Sequence, residues 1–453
     1  MNYTESLEKL HSLQRFGLRP GLEREAELLR RLGDPHLSGT TRYVHIAGTN
    51  GKGSCAAALQ SMLRAGGWRT GFFSSPHLLH HCERYRLNGR QMPEPVFAQV
   101  FSQVWRALTA MVGEGWESPT EFEAVTALAL LYFQQEQADM AVIECGLGGL
   151  YDSTNLIPAE IAVITNVALD HMDYLGNTLE AIAAQKAGII KPGQRAVTAA
   201  GEPARQIIAQ AAQERQADLL CCGREFSPRA CRQTSLQGQC FDLDCQDGSG
   251  APLHLERLQT PLLGRFQQAN LSCAVQTALL LGLDEEAVRA GLRQTVWPCR
   301  LEVVSRLPYV VIDGGHNQDG LAALAQAIKD YWPDKKICAL LGMLDDKQRQ
   351  PALSQLLPLL RQVIVTRPGL PARSRGWAGV GEICRSQGLA TRLVEDSRQG
   401  LQAALAVLQD PAAECDMVLI CGSLYLAATV RGLFPAPGGG PDQGQGELTS
   451  WNC

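Results

Sequence analysis

The sequence contains no apolar run long enough to cross a bilayer. Its longest, at 124–133, is about half of the ~20 residues a membrane helix needs, so no contact with a membrane is expected. A secretory leader is also missing; the polar start MNYTESLEKLHSL reads as the opening of an amphipathic helix. Nor is there a charge excess. Lys+Arg number 41 against 46 Asp+Glu, for a net charge of −5, which supplies no bulk basic field for nucleic acid or an anionic membrane. Any anion has to be gripped by a local device. The fifteen cysteines include no C-x-x-C pair. Neither the adjacent Cys221 and Cys222 nor Cys240 and Cys245 fit a zinc pattern, so they read as reduced thiols of a cytoplasmic protein. No internal repeat and no Ser-His-Asp or Cys-His arrangement stands out, and a covalent nucleophile is not expected.

What is present is a regular alternation. At ~100–200 residues per domain, 453 residues imply two or three domains. Apolar, β-branched segments at 43–47, 70–73, 140–145 and 161–165 read as strands, with helical spacing at 54–65 and 123–135. That pattern predicts a parallel sheet covered by helices. From about 219 to 258, short alternating segments and turn residues predict a small antiparallel region. Helices are expected at 267–281 and 285–295, with Pro298 stopping the second and marking a boundary. Strands at 309–312, 336–341, 362–366 and 417–421 then predict a second, smaller doubly wound unit. The expected fold class is therefore α/β: a P-loop parallel-sheet ATPase domain (1–296) with a small antiparallel β subregion, followed by a smaller Rossmann-like α/β domain (297–434). The Gly/Pro/Gln-rich stretch 435–453 predicts a disordered tail.

The sharpest local signal is the run Gly48, Thr49, Asn50, Gly51, Lys52, Gly53, Ser54 between a strand and a helix. Glycines let backbone N–H groups cradle oxygens, the helix N-terminus adds partial positive charge, and Lys52 supplies a point charge for phosphate. The usual phosphate loop is G-x-x-x-x-G-K-[ST]. Here only Thr49 and Asn50 separate the first glycine from Gly51-Lys52, and Gly53 intervenes before Ser54. Glu144 ends the strand 140–145 beside glycines, where a carboxylate suits Mg²⁺, or else a cap or ion pair. Arg300 offers a guanidinium fork for a phosphoryl group, and Asp313, ending a strand, suits ribose hydroxyls.

Further motifs follow in order: Ser74-Ser75-Pro76-His77-Leu78, Glu144-Cys145-Gly146-Leu147-Gly148-Gly149, Asp152-Ser153-Thr154-Asn155, Leu169-Asp170-His171, the run 186–193, Gly264-Arg265-Phe266-Gln267 with Asn270, Trp297-Pro298-Cys299-Arg300, Asp313-Gly314-Gly315-His316-Asn317 and Gly422-Ser423-Leu424. With GTNGKGS they resemble the folylpolyglutamate synthases of the Mur ligase superfamily, whose bacterial members are often also dihydrofolate synthases. The resemblance spans about 16–434. It implies an ATP-dependent ligase. A folate or dihydropteroate carboxylate is phosphorylated to an acyl phosphate, the amine of L-glutamate attacks, and phosphate leaves.

The resemblance also implies roles for residues. ATP is held by Gly48 to Ser54 together with Asn270, Arg300 and Asp313. Two Mg²⁺ sites draw on Ser75, Glu144, His171 and Lys186, the last as a carbamate; an ordinary lysine paired with phosphate is the alternative. Asp170 and Asp173, flanking His171, add to a charged pocket. His316 falls near the γ-phosphate or the incoming glutamate, and Ser423 faces glutamate. The catalytic set is Lys52, Lys186, Arg300 and His316. The folate side falls to Leu18, Gly21, Leu22, Thr120, Phe122, Glu123, Tyr151, Asp152 and Ser153, with Phe122 equally able to be core. Departures from the family pattern are Gln185 for Glu, Leu150-Tyr151 for Arg-Leu, Cys299 for Gly, Gly315 for Ala and Gln318 for Pro. Arg84 and Arg86 are candidates to replace the arginine missing at 150. Partners are small molecules only, and a monomer is expected. A Mur-type peptide ligase would need a further N-terminal domain, for which the ~40 residues before the loop are too few. A non-catalytic nucleotide-binding relative would not need the intact charged set.

Overall fold

The computed structural model describes residues 1–16 and 21–435; Leu18 and the expected tail from 436 onward lie outside the described residues. Two α/β sheets organise the chain. The first has eight strands in the order Arg90–Gln91, Tyr85–Leu87, Thr70–Phe73, Met140–Glu144, Arg42–Ala47, Ile161–Ile164, Arg195–Thr198, Asp218–Cys221. All neighbours are parallel except the pairings of the first two strands, which form an antiparallel edge. The central strands MAVIE and IAVI are buried along their whole length, as expected of a parallel sheet covered on both faces.

One face packs the helix Lys52–Ala65 beneath Phe266–Leu280 and Glu285–Arg293, with Leu59, Met62, Phe72, Val142 and Val275 in its core. Gly291 permits the close crossing: a Cβ there would lie 2.3 Å from the Met62 Cα. The other face carries Glu94–Gly113 and Glu121–Gln135 over Phe73, Phe97, Leu128 and Phe133.

The antiparallel region has three strands, Ser227–Ser235, Gly238–Gln246 and Pro252–Thr260. It starts later than expected. Residues 219–221 belong to the large sheet, because Leu219 and Leu220 lie parallel to Ala196 and Val197.

The second sheet orders Glu302–Arg306, Tyr309–Ile312, Met417–Cys421, Ile337–Leu341, Leu360–Val365 and Ala390–Leu393. Only Glu302–Arg306 runs antiparallel to its neighbour. The four expected strands are there. The two that sequence reading passed over, EVVSR and ATRL, are half-exposed edges without an apolar run.

Register decides where the loops go. Ile46 lies opposite Glu144, and Ala47 opposite Ile164. In the second sheet Ile312 lies opposite Ile420, and Leu341 opposite Cys421. The carboxyl ends of each group therefore finish level, and the loops after them open into one crevice.

The connection between the sheets departs from expectation. The helix ends at Arg293, well before Pro298, so the proline does not stop it. Cys299 and Leu301 then take left-handed backbone, φ 59° and 47°. Left-handed backbone costs a non-glycine residue about 1–2 kcal/mol. Cys299 is fully buried in the cluster with Val310 and Ile312, which offsets the strain. Cys299→Gly relieves strain and loses that burial, so its net effect on stability is expected within about 1 kcal/mol. Cys299→Ala keeps the strain and loses the sulfur, and should destabilise by about 1–2 kcal/mol. Denaturant titration of the two variants reads the difference.

Candidate active site

The phosphate loop leaves Arg42–Ala47 and enters Lys52–Ala65 through Gly51, which has φ 83°. Two glycines are required by contact. A Cβ on Gly48 would lie 2.0 Å from Thr165 Oγ1, and one on Gly51 2.1 Å from Asn270 Oδ1. The adjacent strand end pins the loop. Thr49 N donates to Asn166 O (2.9 Å), Asn50 N to Asn166 Oδ1 (2.7 Å), and Thr165 Oγ1 to Asn50 O (2.7 Å). Lys52 Nζ curls back onto Gly48 O (3.1 Å) and Thr49 O (3.3 Å) and pairs with no carboxylate among the described residues. Gln267 Nε2 donates to Ser54 Oγ (3.1 Å) while its Oε1 accepts from Asn270 (3.1 Å). One buried glutamine, which sequence reading gave no role, thus joins two expected nucleotide residues.

Glu144 stands at its strand's carboxyl end, 6% exposed. Burial pushes its carboxyl up to about 7, against the pull of Lys52, Arg300 and the Ser75 N–H. Lys186 lies in the last turn of Leu179–Ala187, 3% exposed. Burial, then the Lys52 charge, lowers its ammonium to about 7. It makes no side-chain hydrogen bond or ion pair among the described residues. Gln185 contributes its backbone, its carbonyl accepting from Leu150 N (2.8 Å).

From the second sheet, Asp313 accepts from Leu301 N (2.9 Å) and Gly315 N (2.7 Å). A Cβ on Gly315 would lie 2.7 Å from Asp313 Oδ1, which gives the glycine at this departure a steric reason. Arg300 lies across Gly314, whose Cβ would meet Nη1 at 2.1 Å. His316 Nδ1 is 3.0 Å from Gly314 O, and Ser423 caps Leu424–Arg431.

The two halves are tied across the crevice. Lys347 Nζ donates to Asp170 Oδ1 (2.6 Å), and Asn317 Nδ2 to Asp170 Oδ2 (2.9 Å). His316 Nε2 stands 3.6 Å from the same oxygen. Asn50 and Asn317 exchange amide hydrogen bonds (3.2 and 3.0 Å), and Asp319 accepts from Asn50 (2.9 Å) and Asn166 (3.1 Å). Burial opposes the charge on Asp170, yet His316 and Lys347 hold its carboxyl far below the usual range. Of the two acids flanking His171, only Asp170 lines the cavity. Asp170 is the clasp between domains, while Asp173 is exposed. His171 is lowered to about 4 by burial and then by Lys347.

A cavity of about 520 Å³ results. Every expected nucleotide, metal and glutamate residue lines it: Gly48 to Ser54, Ser75, Glu144, His171, Lys186, Asn270, Arg300, Asp313, His316 and Ser423. Asp170, Asp319, Lys347 and Arg373 line it too. Lys347 follows a strand's carboxyl end, the one signal that could have found it.

None of the described residues expected on the folate side lines that cavity. Thr120 and Glu123 form a reciprocal helix cap (3.2 and 2.6 Å), and Glu123 pairs with Arg24 (2.9 Å). Asp152 accepts from Leu147 N (2.7 Å) and Thr154 N (3.1 Å), and Ser153 meets Thr126 (2.9 Å). Phe122 packs against Phe73 and sits where a Gly146 Cβ would fall. A Gly21 Cβ would lie 2.7 Å from the Glu23 carboxylate; Leu22 precedes the helix Glu23–Arg31, and Tyr151 is 54% exposed. Arg84 donates to His77 (3.0 Å) and Arg86 lies by Phe72 and Trp297; neither bonds to the 150–153 loop.

The fit to bound groups can be judged from these residues. Lys52, in no ion pair among the described residues and set in a glycine cradle, suits a polyphosphate. Glu144, a buried carboxylate with no ion pair among the described residues, suits a hard cation. Among the described residues no group of three or more His, Cys, Asp or Glu lies close enough together to hold a metal. The structure does contain a Cys-His contact, Cys145 Sγ to His45 Nε2 at 2.9 Å, with Thr154 Oγ1 at 2.8 Å. Burial pushes the thiol up and lowers His45 to about 3, so this is a core contact and not a nucleophile.

Lys347→Met leaves Asp170 buried without its cation. Stability is expected to fall by about 3 kcal/mol, and Asp170→Asn in the same chain should recover part of it; thermal unfolding of the two variants measures both.

Residues 46–278 match the Mur ligase middle domain, and 299–424 the Mur ligase glutamate ligase domain. A folylpolyglutamate synthase of Lacticaseibacillus casei is 37% identical over 95% of this chain and 98% of its own. The dihydrofolate synthase/folylpolyglutamate synthase of Escherichia coli is 33% identical over 95% of this chain and 94% of its own. The solved Mycobacterium tuberculosis folylpolyglutamate synthase complexed with ADP and AMPPCP superposes with a TM-score of 0.88 at 30% identity, covering 96% of this chain and all of that one.

Proposed function

The chain belongs to the Mur ligases, in the folylpolyglutamate synthase/dihydrofolate synthase family, and from that membership we propose how its own residues carry the reaction. It is an ATP-dependent ligase that joins glutamate to folates. The observation that carries the residue assignment is the single cavity in which Lys52, Glu144 and Lys186 of one half face Arg300, Asp313 and His316 of the other.

ATP lies with its phosphates over Gly48 to Ser54 and its nucleoside toward Asn270 and Asp313. A folate carboxylate oxygen attacks the γ-phosphorus, the bond to the β-phosphate oxygen breaks, and ADP leaves an acyl phosphate. Lys52 and Arg300 offset the charge that moves in this step. The glutamate amine, held near His316 and Ser423, attacks the acyl carbon; the C–O bond to phosphate breaks, and the amine's proton leaves with the phosphate. Gathering amine and acyl phosphate in one closed space supplies about 7–11 kcal/mol of effective-molarity advantage. The clasp at Asp170 shields the acyl phosphate from water. Ser75, Glu144, His171 and Lys186 as a carbamate would hold two magnesium ions, which neutralise phosphate charge when bound. Carbamylation needs a neutral amine, and the burial of Lys186 without a partner favours one.

The pterin side is assigned to Gly21, Leu22, Thr120, Phe122, Glu123, Tyr151, Asp152 and Ser153. In support, Phe122 lies against Gly146 and Asp152 grips Leu147, directly behind the Glu144 loop. We place the domain boundary at 296/297. We take the enzyme to act as a monomer; in support, one chain supplies both walls of the cavity. It works in the cytoplasm, which suits thirteen described cysteines that are all free. No helix is long and apolar enough to cross a membrane among the described residues.

Purified protein with ATP and Mg²⁺ should incorporate labelled glutamate into tetrahydrofolate, with dihydropteroate assayed alongside. Incorporation into neither acceptor would sink the reading. Lys186→Ala should lower turnover about 100-fold or more while leaving the unfolding temperature within a few degrees, and short carboxylic acids should restore part of it. Full activity in Lys186→Ala would remove the carbamate.

A further inference from the structure

Gly53, one of the two departures of this loop from the common phosphate-loop pattern, lies directly under the linker tryptophan. A Cβ on Gly53 would fall 2.4 Å from Trp297 Cζ2, 2.7 Å from Cε2 and 2.8 Å from Nε1. The indole is fixed from other sides as well. Phe72 meets it edge-on at 5.7 Å and 71°, and the Arg86 guanidinium stands 5.6 Å from its ring. Beyond Trp297 the linker is held by the second domain. Cys299 N donates to Glu302 Oε2 (2.9 Å), Leu301 N to Asp313 Oδ2 (2.9 Å), and Glu302 pairs with Arg431 (2.8 Å). Arg300 therefore sits on a short span with one end resting on the phosphate loop and the other bolted to the second sheet.

We propose that Trp297 is a positioning residue: its indole, seated in the space left by the missing Gly53 side chain, sets the height of the linker over the phosphate loop and so the reach of Arg300 toward the phosphates. The inserted glycine is then a docking notch as well as a phosphate cradle. The proposal rests on the ligase reading for what Arg300 does, and on contact geometry for the coupling itself. A methyl group at 53 cannot coexist with the indole at its present height, because contacts under 3 Å to a rigid ring have to be relieved by moving one of the two. A displacement of about 1 Å at Arg300 costs on the order of 10²-fold in rate.

The test is a double-mutant cycle on the full-length protein. Gly53→Ala is expected to lower kcat for glutamate incorporation about 100-fold, with KM for ATP changing about threefold or less. Trp297→Leu should lower kcat about tenfold or more, and Trp297→Phe, which keeps a ring in the notch, should regain at least about half of the loss. In Gly53→Ala/Trp297→Leu the effects should not add: kcat should return to the level of Trp297→Leu alone. Additive losses, or a Trp297→Leu enzyme with unchanged kcat, would overturn the proposal. Thermal unfolding identifies a variant that has failed to fold; the cycle is then run with Trp297→Phe in place of Trp297→Leu. Affinity for a non-hydrolysable ATP analogue across the same four proteins reads the contact independently of turnover. A wild-type protein that binds the analogue but incorporates no glutamate would therefore count against the ligase reading alone.

Discussion

The reaction chamber depends on one electrostatic contact, the carboxylate of Asp170 held between Lys347 and Asn317. Asp170 follows the strand Ile161–Ile164 of the first sheet, and both partners belong to the second. The pair is nearly dry, with side-chain exposures of 9% and 6%. Such a pair adds little net stability when whole, because desolvation offsets attraction, but either charge left alone is costly. That asymmetry makes it a good clasp. It favours the geometry in which the charges meet and penalises every partly closed arrangement in which one of them stays buried. Around it, Asn50 reaches from the phosphate loop to Asn317 and Asp319, so the position of the loop and the closure of the crevice are one mechanical fact.

Inside the closed space the charges are deliberately unbalanced. Among the described residues Lys52, Arg300, Glu144 and Lys186 form no ion pair, although Lys52 and Arg300 stand near enough to Glu144 to pull on its charge. In a low-dielectric pocket each of these is expensive to keep. The cost makes sense if the missing partners arrive with substrate: phosphates for the two cations, a hard cation for the carboxylate, and CO₂ for the amine.

Much of this was legible in the primary sequence because it is local. A glycine-rich turn between a strand and a helix, acids at strand ends and the ordered motifs named candidate nucleotide and metal residues, and all of these candidates line the cavity. The folate-side group was harder. Thr120, Glu123, Asp152 and Ser153 are polar residues near the expected loop, but a polar residue at a helix start serves equally well as a cap, as Thr120, Glu123 and Asp152 do, while Ser153 bonds Thr126. Gln267 and Lys347 had no pattern of their own. The edge strands Glu302–Arg306 and Ala390–Leu393 were passed over because a half-exposed strand carries no apolar run.

By itself, then, the order of residues determined the α/β class, the phosphate loop and the cast of charged groups, since these follow from periodicity, backbone freedom and side-chain chemistry over a few neighbouring positions. Only the tertiary structure decided which charges face one another. Asp170 meets Lys347 across 177 positions of chain, and Trp297 drops onto Gly53 from the far side of the linker. Contacts of that kind depend on strand register and on the angle between two sheets, and neither quantity is written in any short stretch of sequence.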